Sequence, residues 1–197
     1  MTRKLKSIQV QEILKEKGIR LFSPEELRRL FSVTLRASQE FIKNHHQDLF
    51  IKLRNGLYGL KSDLPTEPEI ANRLYAPSYL SFEYALAHYR IIPESVYSIT
   101  SATTKVTREF TAQGKVYEYN RIKKEAYRGY RSEKQGQGVV FIADPEKALA
   151  DYLYFVDLKL KSLNERLNLR NIKKKSALGY ASLFGRKSLT KLIKSVL

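Results

Sequence analysis

A chain of 197 residues with 43% apolar side chains can bury a core and has the size of one compact domain or two small ones. Thirty-six Lys and Arg against 20 Asp and Glu leave a net charge of +16, which points to a polyanionic partner. Cysteine is absent, which excludes disulfides, thiolate metal sites and cysteine nucleophiles.

No run of the chain approaches the roughly 18 apolar residues of a membrane span. The basic residues 1–6 lead into a mixed segment, not the apolar block of a signal peptide. The expectation is a soluble, cytoplasmic protein with no membrane partner. The charge is also segregated: residues 1–62 carry net +7, residues 63–157 net −1 and residues 158–197 net +10. Segregated charge marks surfaces, so boundaries are expected near Ser62 and Asp157.

In the first segment, residues 7–17 predict a helix with Ile8, Ile13 and Leu14 on its apolar side, stopped at Gly18. A second helix is marked by Ser23 as N-cap, Pro24 at the first position and Glu26 completing a capping box, with Phe22 and Leu27 as a hydrophobic staple. Thr34 can cap a third helix reaching about His46, with Leu35, Ser38, Ile42 and His45 on one side and Arg36, Gln39, Glu40 and Lys43 on the other. Two short apolar runs, residues 50–53 and 57–60, then flank Asn55-Gly56, the signature of a type I′ hairpin. Three helices followed by a basic hairpin predict a winged helix-turn-helix for residues 1–62. Arg36 and Gln39 have base-reading chemistry, and Lys43, Lys52, Arg54 and Asn55 are candidate DNA contacts beside them.

In the second segment Thr66 predicts a helix to about Tyr75, and Ser81 a helix over residues 82–89. Residues 96–100, 105–110 and 115–119 read as strands, the last two joined at Gln113-Gly114. Gly136-Gln137-Gly138 reads as a loop hinge before a strand at residues 139–142. Asp144 as N-cap and Pro145 then open a helix with Leu149, Tyr152, Leu153 and Val156 inward. The tyrosines of this segment read mainly as core, with some left for a partner surface.

Three runs of this sequence together resemble the AbiEi antitoxins of abortive-infection (type IV) toxin-antitoxin systems. They are Arg54-Asn55-Gly56-Leu57-Tyr58-Gly59-Leu60, Ala76-Pro77-Ser78-Tyr79-Leu80-Ser81-Phe82-Glu83-Tyr84-Ala85-Leu86, and Asp144-Pro145-Glu146-Lys147-Ala148-Leu149-Ala150-Asp151. Order and approximate spacing match over residues 20–157. The resemblance implies a repressor of its own operon that binds double-stranded operator DNA and counteracts a nucleotidyltransferase-like toxin in phage defence. The fold class expected is α+β: a winged helix, a mixed α/β antitoxin-like domain over residues 63–157, and a basic helical segment over residues 158–197 packed on it.

Asp144, Glu146, Lys147 and Asp151 form the one compact cluster of catalytic-type residues and keep alive an alternative, a metal-dependent nucleic-acid enzyme. The spacing is poor for that chemistry, and Asp144 and Glu146 suit helix capping and dipole complementation better, so neither catalysis nor a cofactor is expected. His45, His46 and His88 are too scattered for a zinc site, and no metal is expected. A stand-alone winged-helix regulator without a toxin is the remaining alternative.

In the last segment Leu189, Leu192, Ile193, Val196 and Leu197 recur at helical spacing, and Tyr180, Leu183 and Phe184 make a second apolar face ahead of Gly185. Arg170, Lys173, Lys174, Lys175, Arg186 and Lys187 are expected to form a second basic patch toward nucleic acid or an acidic protein.

Overall fold

The computed structural model describes residues 5–135 and 138–197, so Gly136 and Gln137 of the expected hinge lie outside the described residues. The chain is mixed α+β and divides into two compact units, residues 1–74 and 75–197.

The first unit runs α1 (Ser7–Glu16), β1 (Leu21–Phe22), α2 (Pro24–Phe31), α3 (Leu35–His45), β2 (Phe50–Arg54), β3 (Leu57–Leu60) and α4 (Glu67–Leu74). The strands form an antiparallel sheet in the order β1-β3-β2. Its core gathers Val10, Leu14, Phe22, Leu27, Phe41, Ile42 and Phe50, with Phe22 edge-on to Phe50 at 5.0 Å. Both ends of the box at Ser23 are closed. The Glu26 amide donates to Ser23 Oγ at 3.2 Å, and the Ser23 amide donates to Glu26 Oε2 at 2.7 Å. Two inward assignments fail: Ile8 is 70% exposed because Val10 and Leu14 make the buried stripe of α1, and Leu35 is exposed because Phe41 takes the core position on α3.

The hairpin forms at the expected place with a different turn. Gly56 is left-handed (φ 78) but Asn55 is not, and the ladder shifts between Lys52 and Arg54. One left-handed residue plus a bulge thus replaces the type I′ geometry.

The first unit extends past the change in charge at Ser62, because α4 belongs to it. Arg20 pairs with Glu69 at 2.9 Å, both side chains almost shut off from water, and Arg73 pairs with Glu26 at 2.7 Å. The Arg54 guanidinium donates to the Leu74 carbonyl at 2.9 Å.

The second unit is built on a six-stranded sheet in the order β6-β7-β5-β4-β9-β8. Its strands are β4 (Ser78–Leu80), β5 (Ile99–Thr103), β6 (Arg108–Ala112), β7 (Lys115–Arg121), β8 (Tyr130–Gln135) and β9 (Gly138–Ala143). Adjacent strands are parallel in the pairs β4/β9 and β5/β7 and antiparallel elsewhere. The helices are α5 (Phe82–His88), α6 (Pro145–Asp157), α7 (Lys174–Ser182) and α8 (Lys187–Val196). Nine consecutive residues of α6, Lys147 to Phe155, are buried, with α5 on one side and α7 and α8 packed against it elsewhere. Of the last segment, Ala177, Ala181, Phe184, Leu189 and Ile193 are buried, and Phe184 stacks on Tyr154 at 4.3 Å. Among the described residues no helix is long and apolar enough to cross a membrane.

Candidate nucleic-acid interface

Ser38 ties helix α3 to its neighbour. This fully buried serine donates its hydroxyl to the carbonyls of Pro24 at 2.9 Å and Leu35 at 2.8 Å, which locks α3 to the start of α2. Thr34 caps α3 by accepting from the Ala37 amide at 3.2 Å. With Ser38, Phe41 and Ile42 inward, Arg36, Gln39, Glu40 and Lys43 fall on the outer face and are all exposed.

Four arginines of this unit are paired with carboxylates. Arg20 and Arg73 are paired with Glu69 and Glu26, while Arg28 and Arg29 both bind Glu25. The Arg28 guanidinium, helped by Arg29, holds the Glu25 carboxyl at about 2, far below the usual carboxylate range. Arg36, Lys43 and Lys52, by contrast, have no carboxylate partner among the described residues. Lys52 and Asn55 are exposed on the hairpin. Arg54 differs from them: its guanidinium is committed to the Leu74 and Asn55 carbonyls, which makes it a brace between the hairpin and α4.

In the second unit Arg170, Lys173, Lys174, Lys175 and Lys187 are exposed. Arg186 is bound to Asp157, which also accepts from Ser188 Oγ at 3.0 Å, so one charge of the expected patch is neutralised at the start of α8.

The acidic cluster of the third motif is split by the geometry. Asp144 stands at the N-cap of α6, as expected, but its side chain makes no capping bond; it accepts from Arg131 at 2.7 Å and from Tyr180 at 3.1 Å, and Glu146 accepts from the Lys173 amide at 3.1 Å. Lys147 and Asp151 instead turn into the interior and bond to each other one helical turn apart, both at 0% exposure. Ser81, expected as a helix cap, donates its hydroxyl to Asp151 Oδ2 at 2.7 Å, and Tyr79 OH donates to the same oxygen at 3.0 Å. The ammonium of Lys147 also lies 4.8 Å from the centre of the Phe184 ring.

Removal from water pushes the Asp151 carboxyl up and the Lys147 ammonium down, against their mutual attraction. The Tyr79 hydroxyl is pushed well above its ordinary value by burial and by the charge of Asp151. Residues from the second and third motifs thus meet in one closed network that ties β4 to α6. The four-residue spacing of Lys147 and Asp151 is the only local signal of this pair, because it puts the two side chains within reach on one helix face. Nothing local marks Tyr79 and Ser81 as their partners.

Among the described residues no three His, Asp or Glu side chains group to hold a metal ion. No protein-family model and no curated protein matches the chain.

Proposed function

We propose that the chain is a DNA-binding transcriptional repressor whose first unit is a winged helix-turn-helix, and that the second unit counteracts a partner toxin, as the resemblance to the AbiEi antitoxins implies. One observation carries the DNA-binding part. Arg20, Arg28, Arg29 and Arg73 of this unit are balanced by carboxylates, whereas the outer face of α3 and the adjoining hairpin present Arg36, Lys43 and Lys52 without such partners among the described residues. Uncompensated cations on an exposed helix beside a basic hairpin suit a phosphate-lined groove: α3 enters the major groove, Arg36 and Gln39 meet base edges, and Lys43, Lys52 and Asn55 hold the backbone. Arg54 is left out of this set because its donors serve the fold.

The toxin partner rests on the resemblance alone. In this reading the protein is not an enzyme, it resides in the cytoplasm, and the second basic patch, without Arg186, adds contacts to nucleic acid or to an acidic protein.

The test is titration of the full chain onto duplex DNA from upstream of its own gene. Arg36→Ala is expected to cost about 1–3 kcal/mol and to relax the preference at one base position. Lys43→Ala should weaken all sequences alike and reduce the slope of log K against log salt by about 0.9. If both variants bind as the parent does, α3 is not the reading helix. Co-expression with the product of the neighbouring gene tests the second part: relief of toxicity by the full chain supports it, and undiminished toxicity removes it.

A further inference from the structure

Two parallel neighbours in the second unit, β5 and β7, end side by side at Thr103 and Arg121. Beyond their carboxyl ends lies a cavity of about 590 Å³ lined by Thr104, Arg121, Ile122, Lys123, Lys124 and Tyr154. The crevice outside the carboxyl ends of parallel strands is where open sheets characteristically receive ligands, and this volume falls within the range of small-molecule sites.

The local chain explains how three cations reach one hollow. Ile122 is 3% exposed and its amide donates to the Thr103 carbonyl at 2.9 Å, which pins the strand end to the core. Arg121 and Lys123, one residue to either side of that anchor, are exposed, and Lys124 opens the single 3₁₀ turn that follows. Lys123 Nζ donates to the Phe184 carbonyl at 2.6 Å, and an ammonium has two further protons to give.

No carboxylate lines the cavity, and among the described residues Arg121, Lys123 and Lys124 have no carboxylate partner. Other cations of the same unit do: Arg131, Lys161, Arg166 and Arg186 each bind an Asp or Glu. Three like charges around a concave surface reinforce one another's field, and among the described residues no Asp or Glu lines the hollow to offset it.

We propose that this cavity binds a compact polyphosphate, the phosphate chain of a nucleotide or inorganic pyrophosphate. A phosphate chain has the size and the charge density to meet three cations at once within a hollow, whereas a duplex offers its phosphates along a convex surface. Arg121 supplies a planar fork for two oxygens of one phosphate, and the two ammoniums act as point charges on the next. Thr104 adds a hydroxyl to the lining. Tyr154, held by its stack on Phe184, contributes a rigid wall. The proposal does not depend on operator binding, because Arg36 and Lys43 belong to the other unit.

The experiment is calorimetric titration of the full chain, at physiological ionic strength, with pyrophosphate, with ATP and with adenosine. Saturable binding of pyrophosphate or ATP, and none of adenosine, is expected; the preference between the first two identifies the source of the phosphate. Lys123→Ala/Lys124→Ala and Arg121→Gln should each weaken that binding by about tenfold or more, and Arg36→Ala/Lys43→Ala should leave it as in the parent. Arg121→Gln leaves the bond between Lys123 and Phe184 in place, so it reports on the cavity without disturbing that contact. The proposal is overturned by absence of saturable binding in the parent, by unchanged affinity in both cavity variants, or by adenosine binding as tightly as ATP.

Discussion

Lys147 and Asp151 are the residues on which the second unit turns, and their energetics are those of an ion pair kept dry. Desolvation opposes both charges, as the upward shift of the carboxyl and the downward shift of the ammonium express, so their attraction is largely spent on offsetting burial. Removing one partner is far worse than removing both. Asp151→Ala leaves the Lys147 ammonium and the hydroxyls of Ser81 and Tyr79 unanswered, and is expected to cost about 3–5 kcal/mol. Lys147→Met/Asp151→Leu, which fills the same space with apolar atoms, should recover most of that loss. Urea unfolding of the two variants beside the parent decides it; equal destabilisation of both would show that the pair is worth more than the water it gives up.

Helix α4 shows what charge counting does and does not reveal about an element. Its start at Thr66 is legible, and Glu69 accepts from both the amide and the hydroxyl of that threonine at 2.8 Å. Its allegiance is not, because the bonds that assign it to the first unit run from Arg20, Glu26 and Arg54, far away in sequence. Glu69→Ala should therefore destabilise the first unit by about 3 kcal/mol, since it strands the nearly buried Arg20; a melting curve of the variant unchanged from the parent would deny Arg20–Glu69 that role.

Other elements divide in the same way. The Ser23–Glu26 box and the polar face of α3 are set by spacings of three and four residues and are readable directly. Strand β4 has three residues, too few for alternation to register, although it sits between β5 and β9. The β2/β3 and β6/β7 hairpins invert their signatures: Gln113-Gly114 has both residues left-handed (φ 52 and 72), the type I′ pattern, while Asn55-Gly56 does not. There the ladder, through its bulge, overrides the preference of the turn.

At the scale of the whole molecule the 13 tyrosines report on the fold collectively. Burial first of all raises Tyr79, Tyr89, Tyr127, Tyr152 and Tyr180, and brings Tyr89, whose hydroxyl donates to the Ala143 carbonyl at 2.9 Å, to about 12. The sign follows from linkage. With the folded value above the unfolded 10.0, Tyr89 supports the fold fully below pH 10, and that support is lost as pH rises through about 12. An absorbance titration of the phenolates should show a late phase from these buried hydroxyls that moves to lower pH in urea. A single phase in native conditions would contradict the burial of these hydroxyls.

Phe184 closes over Lys147 from more than a hundred positions beyond the end of the first unit. During synthesis, the first unit has every one of its own contacts available once Leu74 has emerged, while the ring that shields the buried ammonium is not yet made. At ordinary elongation rates the interval is on the order of ten seconds. The nascent protein thus passes through a stage with a finished amino-terminal part and a carboxyl-terminal part still open to water at its most charge-sensitive point.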